Sequence, residues 1–263
     1  MLSLLLCISP VAAQDLKRMQ AFGPGEMLGC NLYFNWKFIW IKVGNATLVV
    51  NDTIYNGHKA QCMKLLNSTN SKADSYFLMR DTLISIFTDD FKPLYYRKAS
   101  REGKKFRLSQ VWYDYSVPSL VKVSQYYHRD GKEPRYKEEF VSGPVYDMMS
   151  LLAYARTIDF TTLPKNSRLT YNVATGKAIE PQHLVYRGKK KTKSDEGCEY
   201  DCFRVSLITV DNGKEHEIVN FHITDDKNHL PVLLDFVLNF GSAKGRLSSK
   251  KGLIHPVTSV VEK

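Results

Sequence analysis

The sequence predicts a mainly β protein, folded as a curved antiparallel meander sheet or open half-barrel of about a dozen strands with one packed helix. Apolar and polar residues alternate along most of the chain, as they do in strands with one buried face. Residue pairs that favour tight hairpin turns separate these segments: Asn56-Gly57, Asp130-Gly131 and Asn212-Gly213. A phrase that reads as strand, turn and return strand also occurs twice, at residues 86–94 and 222–232.

Both copies of this phrase end an apolar run in Thr-Asp-Asp and resume it through a proline, Pro93 or Pro231. Aspartate can accept a hydrogen bond from the backbone N–H two residues on, and proline opens a strand where its missing donor costs least. We therefore expect the pairs Asp89-Asp90 and Asp225-Asp226 to hold turns. Paired carboxylates also serve glycosidases, but neighbouring strand residues point to opposite faces.

The alternating segments follow one another with short connections and no sharp change of composition. The predicted strands cover residues 28–36, 39–43, 46–50, 58–66, 82–88, 93–101, 105–115, 117–128, 135–141, 167–174, 183–187, 203–210, 215–223 and 230–240. We expect one all-β domain over residues 22–247, with residues 248–263 as a C-terminal tail.

One segment, residues 147–156, has the pattern of a helix. Asp147 can cap its first turn, and Tyr146 and Leu151 are spaced to form a hydrophobic staple. The apolar side chains that share one side are Met148, Leu151, Leu152 and Ala155. This face is expected to pack on the core, although methionine could also line a ligand cavity. A shorter helical turn is expected at residues 74–80.

The N-terminus predicts export. Residues 2–11 are apolar and small residues follow, so residues 1–13 resemble a signal peptide cleaved after Ala13. No Lys or Arg precedes the apolar run, which leaves the true start of the signal open. Cys7 follows the large Leu6, which does not suit a lipid-anchor motif. The run is too short to span a bilayer, which takes roughly 20 apolar residues. We expect a protein of the periplasm or cell envelope that does not span the membrane.

The chain carries a net charge of +10, concentrated in two basic runs at residues 97–107 and 187–193. Both runs coincide with turn signals, so they are expected at solvated hairpin tips. An exported basic protein is attracted to anionic lipid headgroups or acidic glycans. Nucleic acid is not expected as a partner, because no stacking aromatics alternate with the second run.

Four cysteines remain after signal removal: Cys30, Cys62, Cys198 and Cys202. They can form disulfides in three ways, and the sequence does not choose among them. Cys30 shares strand parity with Leu32, so it is expected to face the core. The spacing of Cys198 and Cys202 permits a local disulfide, or half of a zinc site for which no second Cys/His pair stands at matching spacing.

No set of residues predicts catalysis or a cofactor. His216 and His222 share a strand face but lie six residues apart. A metal site at His222, Asp225 and His229 is a second metal hypothesis, since His229 lies just beyond the turn. A nucleophile elbow and a glycine-rich phosphate loop are absent from the sequence. The sequence therefore favours a non-catalytic protein over an enzyme, with no catalytic, metal or ligand-binding residue assigned.

An ordered series of short motifs spans most of the chain: Gly25-Glu26-Met27-Leu28, Gly44-Asn45-Ala46-Thr47-Leu48, Pro93-Leu94-Tyr95-Tyr96, Val145-Tyr146-Asp147-Met148-Met149-Ser150-Leu151, Thr224-Asp225-Asp226 and Leu230-Pro231-Val232. Over about residues 22–247 this series resembles exported bacterial proteins of domain-of-unknown-function family 3108. The resemblance implies a periplasmic curved sheet or half-barrel around an apolar interior, similar in shape to lipoprotein carriers and lipid-sensing proteins. It implies no activity.

Three roles follow as expectations. The first is a non-catalytic envelope protein whose concave sheet binds a hydrophobic or amphipathic ligand, with an envelope lipid, lipoprotein or acidic glycan as partner. The alternatives are an envelope hydrolase acting on glycan or lipid, and a structural partner in an envelope complex. Aromatic side chains that could instead fill the interior are Trp36, Phe38, Trp40, Trp112, Tyr126 and Tyr127.

Overall fold

The structure is a computed structural model that describes residues 18–36, 39–238 and 241–262, with the backbone alone described at Trp36. The predicted signal peptide at residues 1–13 and the aromatic residue Phe38 lie outside the described residues. None of the helices in the described part of the chain has the length and apolar character needed to cross a membrane.

The described residues form fifteen strands and two short α-helices. They are β1 Met27–Trp36, β2 Ile39–Tyr55, β3 His58–Thr69, α1 Ser71–Asp74, β4 Met79–Phe87, β5 Pro93–Glu102, β6 Lys105–Asp114, β7 Leu120–Arg129, β8 Arg135–Ser142, β9 Val145–Tyr146, α2 Met148–Ala155, β10 Arg168–Ala174, β11 Ile179–Lys193, β12 Glu199–Asp211, β13 Lys214–Thr224, β14 Pro231–Val237 and β15 Ser242–Lys251.

All fifteen strands belong to one sheet, in the order β8-β7-β6-β5-β4-β3-β2-β1-β15-β14-β13-β12-β11-β10-β9. Strands adjacent in sequence pair with each other, except β8 and β9, and β1 pairs with β15 to join the two halves of the meander. Every pairing is antiparallel except that of β9 with β10. The antiparallel meander is confirmed, but the expected dozen strands was too few, because two-residue β9 and polar β15 lack alternating apolar residues.

The sheet curls until its two edges come close. Strand β8 ends at Ser142 and β9 begins at Val145, so only two residues connect opposite edges of the sheet. Since a residue spans at most about 3.6 Å, these edges lie within roughly 11 Å of each other at that end. On the closing side, Gln125 Oε1 on β7 accepts a 3.0 Å hydrogen bond from Gly176 N in the β10–β11 turn. The sheet is therefore nearly closed and barrel-like, rather than an open half-barrel.

Helix α2 lies inside this curl. Asp147 caps it as predicted, accepting hydrogen bonds from the Met149 and Ser150 backbone N–H groups, while Ser150 closes a capping box. Met149 and Ala153 pack into a cluster with β2–β7. On the other side, Leu151 and Tyr154 pack into a cluster with β10–β13. The predicted apolar side was wrong in part: Met148 is exposed, because the helix is enclosed from two directions instead of lying on one surface.

A buried ion pair fixes the C-terminal end of α2. The Arg156 guanidinium binds both carboxylate oxygens of Glu26, at 2.6 and 2.9 Å, and both side chains are about 1% exposed. Arg156 also donates to the backbone oxygens of Asn228 and His229, so four of its five N–H groups have a hydrogen-bond acceptor. The start of β1, the helix and the β13–β14 turn are thereby held together.

The repeated Thr-Asp-Asp phrase forms two equivalent turns, as predicted. Thr88 Oγ1 donates to Asp90, and Thr224 Oγ1 donates to Asp226 at 2.8 Å. Asp226 also accepts a 3.0 Å hydrogen bond from the backbone N–H of Asn228, two residues on. Carboxylates and threonine hydroxyls thus replace the strand ladder where the chain reverses.

Other expectations need correction. The helical turn expected at residues 74–80 lies earlier, at Ser71–Asp74, where the Asn70 side chain accepts from Ala73 N and caps it. The buried aromatic side chains of the two core clusters are not the predicted ones; they are Phe22, Phe87, Tyr96, Tyr113, Tyr146, Tyr154, Phe160, Tyr171, Tyr186 and Phe203. Trp40 is instead exposed near the β1–β2 turn, because that end of the sheet extends beyond the core.

Candidate functional site

A polar groove of about 730 Å³ lies on the face of the sheet opposite the two core clusters, here called the outer face. It crosses β11–β15. Its lining is Arg187, Lys190, Lys191, Thr192, Lys193, Glu199, Arg204, Ser206, Glu217, Asn220, His222, Leu233, Asp235, Lys244 and Arg246. A volume of this size suits a small-molecule ligand or headgroup.

Strand alternation places these side chains together. On β12, Phe203, Val205 and Leu207 enter the core, so Arg204 and Ser206 point to the outer face. Cross-strand pairing extends the row, since Arg204 pairs with His222 on β13, which in turn pairs with Leu233 on β14, itself the partner of Arg246 on β15. A parallel row runs through Ser206, Asn220, Asp235 and Lys244. Alternate residues of the four strands β12–β15 therefore form the floor of the groove.

One wall of the groove is formed by residues 189–203, the distal part of the β11–β12 hairpin, here called the arm. A bulge at Arg187, which is followed by Gly188 with a φ of +90°, interrupts the pairing of β11 with β12 at the base of the arm. The tip returns to the sheet: Asp195 accepts 2.7 Å hydrogen bonds from Asn31 and Tyr33 on β1. Next to it, Glu196 pairs with Lys250 of β15 at 2.6 Å. The base of the arm is therefore part of the sheet, and its tip is bound to β1 and β15.

The groove is strongly cationic. Seven of its lining side chains are Lys or Arg and three are carboxylates, an excess of four positive charges. Asp235 lies 3.7 Å from Lys244, and Glu217 lies 3.9 Å from Arg187, both long for ion pairs. Lys190, Lys191, Lys193 and Arg246 form no ion pair within the described parts of the chain. Such an excess of like charge in a concave, half-enclosed surface attracts anions.

Arg204 lies at the centre of the floor with an unsatisfied donor. Its Nη2 donates to the backbone oxygen of Arg187 at 3.3 Å, but its buried Nε finds no acceptor among the described residues. Leaving a buried donor of a charged group unpaired costs about 1–3 kcal/mol or more. An anion in the groove would supply the missing acceptor.

His222 reports the electrostatics of the groove. It is buried, and its Nδ1 lies 2.7 Å from Thr192 Oγ1 on the arm. Desolvation, followed by the charges of Lys190, Arg204 and Lys244, lowers the pKa of His222 to about 4. The imidazole is therefore neutral at physiological pH, and it can donate or accept a hydrogen bond without adding charge.

The sequence predicted part of this site. The second basic run, residues 187–193, supplies Arg187, Lys190, Lys191 and Lys193, but it lies within strand β11 and not on a hairpin turn. It continues as a strand because it pairs with residues 199–204 of β12. The first run, residues 97–107, does span a turn, between β5 and β6, and takes no part in the groove.

Sequence reasoning missed Arg204, Lys244 and Arg246 as site residues. Lys244 and Arg246 are two apart on β15, so their shared face was readable once that strand was recognised. Their proximity to Arg204 depends on the pairing of four strands, which no local pattern reveals.

The candidate metal ligands are not brought together. His222 faces the outer groove, whereas the His229 ring packs against Phe160 and Phe203 in the core and its Nδ1 contacts the Arg156 backbone oxygen at 2.6 Å. Asp225 pairs with Lys189. His216 is exposed. Over the described ranges, no cluster of three or more His, Cys, Asp or Glu side chains is arranged to hold a metal ion.

The other predicted carboxylates and the cysteines also have local surroundings. Asp89 accepts a 2.9 Å hydrogen bond from Gln61, and Asp90 pairs with Lys92 at 2.9 Å. All four cysteines are unpaired in the structure, so the local disulfide permitted between Cys198 and Cys202 is not formed. Burial raises the pKa of Cys30 and of Cys202 to about 12, which makes both thiols unreactive near neutral pH.

Comparison with known proteins yields a family and similar solved structures. A family model described as a protein of unknown function, DUF3108, matches residues 30–248. A similar solved structure is the beta-barrel-like protein of domain of unknown function DUF1849 from Brucella abortus, with a TM-score of 0.55 and 10% sequence identity, over 88% of this chain and 98% of that chain. Likeness at this identity concerns the fold alone. No curated protein matches the chain.

Proposed function

The chain belongs to the DUF3108 family of proteins of unknown function, and we propose that it is a non-catalytic, exported cell-envelope protein that binds an anionic amphipathic molecule through the groove on β11–β15. The observation that carries this proposal is Arg204, whose buried Nε has no acceptor in a groove with an excess of positive charge. A guanidinium in such a place is complementary to a phosphate or carboxylate.

The groove has polar groups that can bind a ligand, whereas the interior of the sheet is filled by residues of the chain itself. Guanidinium and ammonium groups line the groove, along with the neutral donors Ser206, Asn220 and His222. Leu233 is its single aliphatic lining residue, so the groove suits a headgroup better than an acyl chain. The concave interior, where the sequence led us to expect a hydrophobic ligand, is occupied by α2 and two packed clusters. A lipid would therefore bind by its polar end.

A binding role fits the carboxylates better than hydrolysis does. In the groove, Asp235 lies 3.7 Å from Lys244 and Glu217 lies 3.9 Å from Arg187, so each of these carboxylates faces a cation. Glycoside hydrolysis needs one carboxyl that keeps its proton near neutral pH. Burial raises the pKa of Asp147 to about 6, but this carboxylate is sealed in the core and caps α2 with hydrogen bonds from Ser85 and Ser150. It has no access to a substrate.

Export is proposed from the sequence, in which residues 2–11 are apolar and small residues follow. Expression with its own N-terminus in a bacterial host tests this directly. Recovery from the periplasm or envelope fraction with a mature terminus next to Ala13 supports export. Recovery from the cytoplasm with residues 1–13 intact refutes it.

Calorimetric titration tests the groove. The probe is dihexanoyl phosphatidylglycerol below its micelle concentration, compared with dihexanoyl phosphatidylcholine. Arg204→Met and Arg246→Met should each weaken binding of the anionic lipid by tenfold or more, because a charge-assisted hydrogen bond in a half-buried site contributes about 1.5–3 kcal/mol. Arg101→Met is the matched control, since it removes an exposed arginine of β5 outside the groove.

The outcomes separate sources of the same anionic chemistry. Equal affinity for glycerol phosphate and the short-chain lipid would identify the phosphate as the recognised group. Tighter binding of oligogalacturonate would assign the groove to an acidic glycan instead of a lipid. An affinity that is unchanged by Arg204→Met and Arg246→Met, or equal for both lipids, would refute the groove as the site.

A further inference from the structure

Two neighbouring hairpins carry exposed apolar residues at the same end of the sheet. Residues Ile41, Phe34, Ala243 and Phe236 form a cross-strand row through β2, β1, β15 and β14. Beyond that row, towards the β1–β2 and β14–β15 turns, lie Ile39, Trp40, Val237 and Leu238. All four are exposed: 65% for Ile39, 39% for Trp40, 57% for Val237 and 39% for Leu238. We call this group, with Ile41, the apolar tip.

The apolar tip is exposed on both faces of the sheet. Successive residues of β2 point to opposite faces, so Trp40 lies on one face, with Ile39 and Ile41 on the other. Ile41 is 48% exposed although it is on the face that elsewhere covers the core. A docked protein covers one face of a hairpin, whereas a medium that surrounds the hairpin covers both. Exposed apolar residues on both faces therefore fit an apolar medium better than a protein partner.

Cations surround the base of the apolar tip. Lys244 Nζ lies 4.1 Å from the centre of the Trp40 ring, a cation–π contact on the groove face. Lys42 follows on the same face of β2, opposite Tyr33, and Lys244 pairs with Tyr33 from the other side. Arg246 continues the series into the groove. Tryptophan next to lysine below an aliphatic end is the arrangement that side chains adopt at the interface of an anionic bilayer.

We propose that the apolar tip inserts into the surface of an anionic phospholipid membrane, with Trp40 at the interface and Lys42 and Lys244 on the headgroups. This docking goes beyond the proposed groove function and does not require it, since the tip has its own apolar and cationic residues. Because Lys244 belongs to both sites, docking also brings the mouth of the groove to the level of the headgroups.

Vesicle sedimentation tests the insertion. The full chain without its signal segment is mixed with vesicles that contain phosphatidylglycerol, or with vesicles of phosphatidylcholine alone. Each buried isoleucine contributes a factor of about ten or more to partitioning. The double variant Ile39→Ser, Ile41→Ser should therefore bind phosphatidylglycerol vesicles at least tenfold more weakly than the wild type.

Ile54→Ser is the matched control. Ile54 lies on the same strand and is even more exposed, at 74%, but it is roughly 40 Å from Ile41, near the opposite end of β2. It should leave vesicle binding unchanged. A second readout is quenching of tryptophan fluorescence by brominated phosphatidylglycerol. Because Trp36 pairs with Ile39 at the same end of the sheet, quenching should be largely lost in the double variant Trp36→Phe, Trp40→Phe and retained in Trp112→Phe.

Each outcome decides the proposal. Weakened binding of the Ile39/Ile41 variant, with Ile54→Ser unaffected, supports insertion. Failure of the wild type to bind phosphatidylglycerol vesicles overturns it, as does equal binding by both serine variants. A wild-type dimer that dissociates on the Ile39/Ile41 change would assign the tip to self-association and overturn it too. Failure of the groove proposal can be distinguished from failure of the insertion proposal. Arg204→Met should abolish binding of the monomeric lipid, whereas the Ile39/Ile41 variant should retain that binding.

Discussion

The neutral state of His222 gives the sharpest prediction about the groove. Burial, with the charges of Lys190, Arg204 and Lys244, lowers the pKa of His222 to about 4, against about 6.5 in the unfolded chain. Between these two values the unfolded state binds the proton and the folded state does not. Stability contributed by this residue is therefore complete above pH 6.5 and is lost as the pH falls towards 4.

The size of the effect follows from the shift. One pKa unit corresponds to 1.36 kcal/mol, so the contribution of His222 to the free energy of unfolding should fall by about 3 kcal/mol from pH 7 to pH 4. His222→Gln cannot titrate and should lack this fall. Urea unfolding of both proteins at a series of pH values measures the difference between their free energies of unfolding. The contributions of Asp147 and His229 cancel in this difference, because both proteins contain these residues.

A control identifies the cause. Lys190→Met removes the neighbouring charge that lowers the pKa of His222 the most. The variant should therefore raise this pKa, as measured by NMR titration of the imidazole. If the difference between wild type and His222→Gln changes by less than about 1 kcal/mol over this pH range, the pKa is not depressed as described. The description of a cationic, desolvated groove would then be wrong.

Three further predictions concern the fold that positions the groove. Arg156→Met leaves Glu26 buried without its cation and should lower the free energy of unfolding by about 3–5 kcal/mol. Adding Glu26→Gln to the same chain should restore part of this loss. If the effects of the two substitutions on urea unfolding were strictly additive, the buried pair would be contradicted. Met149→Ala should cost about 2–5 kcal/mol and Met148→Ala less than about 0.5 kcal/mol, and equal costs would contradict the enclosed position of α2. The raised pKa of Asp147, about 6, means that the wild type should lose stability relative to Asp147→Asn as the pH rises from about 4 to about 6, and a pH-independent difference would contradict that shift.

Local chemistry in the sequence predicted local structure well. The cap at Asp147 and the turns at Thr88 and Thr224 form as expected, because each depends on side chains within a few residues of the backbone groups that they bind. The family resemblance, read from an ordered series of motifs, is confirmed over residues 30–248. Strand alternation and hairpin-turn residues also predicted the meander, because each of these patterns lies within a short stretch of the chain.

Non-local structure was harder to predict. The near closure of the sheet follows from a two-residue link between β8 and β9, but β9 is too short to show alternation. The enclosed position of α2 made Met149 and Ala153 core residues, although a one-sided helix pattern pointed to Met148. Whether a helix is enclosed depends on how far the sheet curls, which no window of local sequence reports.

The groove illustrates the same limit. Lys190 could be selected from its basic run, whereas Arg204 is an isolated arginine in an apolar strand. Arg204 and Arg246 are brought near each other only by the register of three strand pairs, β12 with β13, β13 with β14 and β14 with β15. Charge composition thus predicted that an anion would be attracted, and the pairing of strands determines where it binds.

The most direct test of the groove is the pKa of His222 with and without an anion in place. NMR titration of the His222 imidazole would be carried out in the free protein and in the presence of saturating dihexanoyl phosphatidylglycerol. An anion among Lys190, Arg204 and Lys244 offsets the positive charges that, after desolvation, lower the pKa of His222, so we predict that this pKa rises from its value near 4. A pKa that is unchanged when the lipid is bound would place the ligand elsewhere and contradict the groove as its site.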